Sequence, residues 1–157
     1  EFKVSLEFTK EIQRLLFKIC RKGYGWLKNV EKQVLEKKYV KTPFGTKRRF
    51  TEIEYTFKQA EREHLFRAGK NFIVQSFAVE CVFIGMWKLY QALKRENIEA
   101  YFVHQIHDAV ILEVKEEYVD RVVQLVKENC ENPVKLSVPL EVDISVGDSW
   151  YECVKED

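Results

Sequence analysis

The stretch Tyr101–Val114 constrains the fold more than any other part of this chain. Two β-rich apolar runs, Ala100–Val103 and Ala109–Val114, flank His104-Gln105-Ile106-His107, with Asp108 next. Polar residues between two short apolar runs predict an antiparallel hairpin with its turn near Asp108. The hairpin sits among helical patterns, so helices must cover one of its faces. Lys115 to Asn129 reads as an amphipathic helix with Val119, Val122, Val123 and Val126 inward. Pro139 to Val146 alternates as Leu140, Val142, Ile144 and Val146, the pattern of a half-buried strand joining the same sheet.

The first half reads as helical. Thr9 to Arg21 carries Ile12, Leu15, Leu16 and Ile19 on one face, and Gly23-Tyr24-Gly25 interrupts it. A second helix runs from about Trp26 to Lys38, with Leu27, Val30, Val34 and Leu35 as its apolar face. Tyr39 to Thr51 reads as a short basic hairpin around Pro43-Phe44-Gly45. Phe57 to Arg95 is helical, with Gly69 marking a break. The helix after it repeats Ile73, Phe77, Ile84, Trp87 and Leu93, which predicts burial on most sides. The layout is α+β: a small antiparallel sheet, made of the hairpin plus the C-terminal strand, packed with long helices.

Composition narrows the function classes. With 157 residues, 46% of them apolar, the chain has the mass for a core and is not disordered. No uninterrupted apolar run approaches about 20 residues, so a membrane span is not expected. The net charge is only +1, so binding to a polyanion must use a local basic patch. The four cysteines, Cys20, Cys81, Cys130 and Cys153, are far apart and form no CxxC pair, so a structural zinc site or a disulfide framework is not expected. Reduced thiols in the cytoplasm are the expectation. The start, without Met or an apolar leader, reads as a cut rather than a natural beginning.

Three features carry chemistry. An Asp displayed at the rim of a sheet suits a hard divalent cation such as Mg²⁺, which takes carboxylate oxygens together with substrate phosphate. An Asp that satisfies turn amides is the alternative for Asp108. His104 and His107 form an HxxH pair, but residues three apart on a strand point to opposite faces, which argues against zinc. Arg67, Asn71 and Gln75, four residues apart, stack on one helix face as a row of donors and mixed donor–acceptor edges. Such a row suits the acceptor-rich minor groove, although a solvated polar face has the same spacing. Lys47, Arg48 and Arg49, with Lys37, Lys38 and Lys41 nearby and Tyr39, Phe44 and Phe50 interleaved, suit phosphate contact or a plain solvated hairpin. His64, among Glu61, Arg62 and Glu63, reads as a surface residue.

Taken together, these features resemble the family A, DNA polymerase I-like enzymes. The carriers are the Phe44-Gly-Thr-Lys-Arg48 turn, the Arg67/Asn71/Gln75 row, the Gln105-Ile-His-Asp108 turn, and Val138-Pro-Leu-Glu-Val-Asp143 followed by Gly147-x-x-Trp150. They follow the family's order and intervals from about Val4 to Glu152. The resemblance implies an incomplete palm with partial fingers: 1–68 as the distal fingers portion and 69–157 as the palm portion. It implies that Asp108 is the motif C carboxylate that helps hold catalytic Mg²⁺, and that His107 lies near the primer terminus. By the same resemblance Gln75, Asn71 and Arg67 contact primer–template DNA on its minor-groove side, and Gln105 in the motif C turn is also implied to bind DNA. Lys47, Arg48 and Arg49 touch backbone phosphate. The implied partners are primer–template DNA, dNTP and the remainder of the polymerase.

The sequence also departs from the family. Ala109 stands where Glu usually follows the motif C Asp, Ser76 where Gly follows the Gln, and Phe83 where Lys is common. The family's motif A Asp and nucleotide-binding finger helix belong before the matched region. One Asp cannot hold both ions of a two-metal site. The chain alone is therefore expected to be inactive and to add nucleotides only as part of a complete polymerase. The alternative is a non-catalytic DNA-binding module derived from one. A palm missing a strand exposes a sheet edge, so self-association through that edge is a further expectation.

Overall fold

A computed structural model describes residues 5–154. They fall into two compact units, divided in the sequence between Phe77 and Ala78.

The first unit opens with α1, Leu6–Ile19. Ser5 caps it, its hydroxyl accepting from the Phe8 N–H at 3.2 Å. α2, Arg21–Lys37, follows after a single residue. The glycine pair expected to interrupt the helices instead lies inside α2. The break is at Cys20 (φ −98°, ψ 50°), whose N–H still bonds Leu16 at 2.8 Å. Tyr24 then donates back to the Cys20 carbonyl at 2.9 Å. The glycines are tolerated because the helix hydrogen bonds resume immediately. Lys38, in the left-handed region at φ 59°, turns the chain into β1, Tyr39–Lys41. β1 pairs antiparallel with β2, Lys47–Arg49. A 3₁₀ turn, Thr51–Glu54, leads toward α3, Gln59–Arg95.

The core of this unit is Val30, Val34, Val40, Phe50 and Ile53, with Leu65, Phe66, Ala68, Phe72 and Ile73 of α3 packed on it. That packing explains why α3 does not break at Gly69. A Cβ at Gly69 would lie 2.9 Å from Val34 Cγ2 and 3.6 Å from Phe50 Cζ. The residue is glycine because α2 and the hairpin approach the helix there, and the intrahelical bonds outweigh its poor propensity.

The second unit contains the rest of α3, β3 (Ala100–Ile106), β4 (Ala109–Val114), a 3₁₀ turn at Glu116–Tyr118, α4 (Val119–Cys130) and α5 (Trp150–Val154). β3 runs three residues further than its apolar run, so the turn shrinks to His107-Asp108. α4 begins at Val119 rather than Lys115. It buries Val122 and Leu125 against Leu89, Ala92 and Leu93 of α3, and Ala100, Phe102, Leu112 and Val114 of the hairpin pack beside them. Arg121 locks α4 to the end of α3 through Glu96, at 2.8 and 2.6 Å.

Two expectations fail here. α3 is not buried on most sides: Phe83 is 52% and Trp87 62% exposed, because its buried residues occupy one face only. By length and composition α3 passes for a membrane span. Glu80 and Lys88 interrupt its apolar residues, however, and Leu89, Ala92 and Leu93 belong to the core. The C-terminal strand does not form either. Among the described residues each sheet has two strands, and 139–146 pairs with neither. Alternation alone does not make a strand, because the ladder bonds need a neighbour. The chain's α+β class stands, with a smaller sheet than expected.

Two glycine substitutions test the packing. Gly69→Val should lower stability by about 2 kcal/mol, since the site has no room to receive a side chain. Gly25→Ala, with nothing within 4 Å of the added Cβ, should raise stability by up to about 1 kcal/mol. Thermal melts of both variants read the two signs.

The ion pair between α2 and α3 gives a pH dependence. Burial pushes the Glu31 carboxyl up. Lys70 at 2.6 Å and Lys28 at 2.9 Å more than offset this and hold it below its ordinary value of 4.5. A carboxyl lowered on folding stabilises above its unfolded pKa and loses that contribution as pH falls. The melting temperature should fall as pH drops below 4.5, and Glu31→Gln should flatten that fall.

Candidate nucleic-acid and metal site

Two residues connect β3 to β4. Ile106 pairs with Ala109, which leaves only His107 and Asp108 to reverse the chain. So short a connection requires left-handed backbone at one or both of its residues. Here His107 supplies it, at φ 54°. An L-residue there gives up the lower-energy right-handed and extended regions, although His enters it more often than most. Both turn residues are exposed. The Gln105 amide nitrogen donates to the His107 carbonyl at 3.0 Å.

The register of the hairpin is irregular. Phe102 pairs with Leu112, but His104 pairs with Ile111, so Val103 is the extra residue of a β-bulge. Val110 and Leu112 share a face, so their partners Gln105 and Phe102 share it too. His104 therefore lies on the other face, where its ring meets Trp150 edge-on at 6.3 Å. His104 and His107 do not form a metal pair. Among the described residues no group of three or more His, Cys, Asp or Glu is placed to hold a metal. Asp108 offers one carboxylate, and its neighbour Ala109 offers none. One carboxylate with substrate phosphate suits Mg²⁺, but a pair of ions needs a second carboxylate.

The other sequence-selected residues lie in the first unit. Arg67, Asn71 and Gln75 are all exposed on α3 and lie outside its core-packed residues. Arg67 and Asn71, with Lys70, Val74 and α2's Trp26 and Leu27, line a shallow depression of about 330 Å³. Lys47, Arg48 and Arg49 are exposed on β2, on the core side of α3. Lys47 stands 5.1 Å over the Tyr39 ring and Arg48 5.2 Å over Phe50, so both cations are steered by aromatic faces. The turn is pinned by Phe44 stacking on Phe77 at 5.5 Å. The helical row and the basic hairpin belong to one unit, with the hairpin turn anchored two residues from Gln75. Burial pushes the Cys130 thiol up, which leaves it a poor nucleophile.

Sequence reasoning missed α5 and its cap. Ser149-x-x-Glu152 is a capping pattern: the Glu152 carboxylate accepts from the Asp148 N–H at 2.9 Å, and the Ser149 hydroxyl accepts from Glu152 N–H at 3.4 Å. Gly147 lies against it, where a Cβ would sit 2.9 Å from Glu152 Cβ. The Gly147-x-x-Trp150 signal was visible, but its cap went unread.

Comparison with known proteins finds a match to the family model described as DNA polymerase family A over residues 1–152. DNA polymerase I of Caldicellulosiruptor bescii is 32% identical over 97% of this chain and 18% of its own length. The thermostable DNA polymerase I of Thermus aquaticus is 30% identical over 96% of this chain and 18% of its own. Among solved structures, the POL domain of Pol1 from M. smegmatis, in complex with DNA primer-template and dNTP, aligns with a TM-score of 0.88 at 29% identity. That alignment covers 98% of this chain and 27% of the other. The chain therefore spans about a fifth of the length of the full relatives it matches.

Asp108 separates a structural turn residue from a displayed ligand. Among the described residues, no hydrogen bond or ion pair holds its carboxylate. Asp108→Asn should leave the melting temperature within about 1 °C of the parent, whereas a turn-satisfying Asp would cost several degrees.

Proposed function

The chain belongs to DNA polymerase family A, and from that premise we propose that it supplies one wall of a primer-extension site which other polymerase segments complete. The supporting observation is the display of Asp108: exposed, at the tip of a two-residue turn, next to the left-handed His107.

In this reading Asp108 is the motif C carboxylate and would hold one side of a Mg²⁺ site. A cation held by the Asp108 carboxylate and substrate phosphate would supply Lewis-acid activation of a primer 3′-hydroxyl and charge neutralisation at the leaving pyrophosphate. Ala109 has no side-chain oxygen to add, so in this reading the second carboxylate comes from another segment of the polymerase, as the family resemblance implies. His107, beside Asp108, faces the primer terminus. Gln75, Asn71 and Arg67 present donors to minor-groove acceptors, which are similar for all base pairs and so suit an enzyme that must copy any sequence. Lys47, Arg48 and Arg49 meet backbone phosphate and set position rather than sequence. Residues 1–68 correspond to the distal fingers and 69–157 to the palm. The four thiols fit a reducing compartment.

Exposed apolar faces favour a need for partner segments. α1 exposes Leu6, Phe8, Leu15, Leu16 and Ile19, α3 exposes Phe83 and Trp87, and 139–146 has a strand's alternation without a neighbour. The rest of the polymerase is the partner of this reading, and self-association through the unpaired sheet edge competes when it is missing. Ala109 favours a second reading, a DNA-binding module that has lost catalysis.

Primer extension distinguishes the two. The purified chain should add no nucleotides to a primed template with dNTP and Mg²⁺. Assembled with segments carrying the family's second carboxylate, it should extend, and Asp108→Ala should abolish extension while DNA binding survives. A module that only binds would gain no activity on assembly.

The basic hairpin has a salt signature. Replacing Lys47, Arg48 and Arg49 together by Ala should weaken DNA binding on all sequences alike. It should also flatten the slope of log affinity against log salt by up to about 3. An unchanged slope in a salt titration would remove the hairpin from the phosphate contacts.

A further inference from the structure

Gln105 stands out once the register of the hairpin is known. The bulge at Val103 puts this polar side chain opposite Val110, on the face that carries Phe102 and Leu112 toward the core. Without the extra residue, Gln105 would point to the other face. From the core side its amide reaches two residues on and donates to the His107 carbonyl at 3.0 Å. Only the amide nitrogen can face a carbonyl oxygen, so the direction of the bond is fixed. The carbonyl it grips belongs to the residue at φ 54°.

We propose that Gln105 is a positioning residue: its amide clamps the His107 carbonyl, holds the strained turn closed, and so fixes the direction in which Asp108 is presented. It acts through backbone and touches neither metal nor substrate. This differs from a role in DNA contact, which the resemblance implied for it. A clamp is needed here for a physical reason. The left-handed region still carries a conformational cost for an L-residue such as His107, and among the described residues nothing grips the Asp108 carboxylate itself. Any slack in the turn therefore passes directly into the position of the carboxylate, and a loosely held ligand binds a small, geometrically demanding cation poorly. The bulge, the clamp and the left-handed residue form one device: the first aims the amide, the second holds the carbonyl, and the third turns the chain.

The clamp is testable without any polymerase activity. In melts of the chain, Gln105→Leu should lower the melting temperature by about 2–4 °C, the scale of one lost hydrogen bond in a domain of this size. His107→Gly removes the backbone strain, because glycine enters the left-handed region freely. In the His107→Gly background, Gln105→Leu should therefore cost clearly less. An equal cost in both backgrounds overturns the clamp. The effect on Asp108 rests on the polymerase reading, and the assembled enzyme tests it. Gln105→Leu and Gln105→Glu, the latter isosteric but without the donor, should each raise the Mg²⁺ concentration for half-maximal extension several-fold. The Kd for primer–template should stay unchanged. A change in DNA affinity with an unchanged Mg²⁺ requirement returns Gln105 to DNA contact and overturns the proposal. If Asp108→Ala leaves extension intact, the polymerase reading itself fails, and the melts still decide the clamp.

Discussion

A hairpin closed by two residues leaves its turn no choice of direction, and the second unit is built around that constraint. Ile106 and Ala109 must face each other across the ladder, so His107 must enter the left-handed region and Asp108 must project from the tip. The strands below cannot slip, because Phe102 and Leu112 are committed to the same core as Leu89, Leu93, Val122 and Leu125. A one-residue shift would turn both outward. Hydrophobic burial thus sets the register, register sets the turn, and the turn displays the carboxylate.

The first unit applies the same logic to a different surface. Phe50 and Val40 of the basic hairpin are fully buried against α2 and α3. Gly69 lets those elements approach closely enough for that burial. Lys47, Arg48 and Arg49 are left outside, on the strand whose neighbours anchor it. The helix that receives this packing also exposes Arg67, Asn71 and Gln75. In the proposed reading both groups would contact nucleic acid through local charge, which a net charge of only +1 permits.

Much of this was legible in the sequence, and the failures have physical causes. The two hairpins, the amphipathic helices and the row on α3 all follow from local periodicity and turn chemistry, which act within a few residues. The errors arose where distant residues decide. Gly69 reads as a breaker until Val34 and Phe50 are known to pack on it. Phe83 and Trp87 read as buried until the core is seen to take one face of α3. Leu140 to Val146 reads as a strand, but no neighbouring strand exists among the described residues. The bulge at Val103 was invisible because nothing in Tyr101-Phe-Val-His-Gln announces an unpaired residue. That hid the side of the sheet from which Gln105 acts. The place of Asp108 between two apolar runs left a turn-satisfying Asp open, and only the resemblance to motif C made it a metal ligand; the structure puts it at the tip of the turn.

The central claim is that Asp108 holds a catalytic cation, and iron-directed cleavage tests it most directly. In the assembled enzyme with primer–template and dNTP, Fe²⁺ takes the place of Mg²⁺, and ascorbate with peroxide generates hydroxyl radicals where the metal sits. The account predicts backbone scission within a few residues of Asp108, suppressed by excess Mg²⁺ and absent in Asp108→Ala. Scission elsewhere in the chain, or a cut at this turn that survives Asp108→Ala, would contradict it.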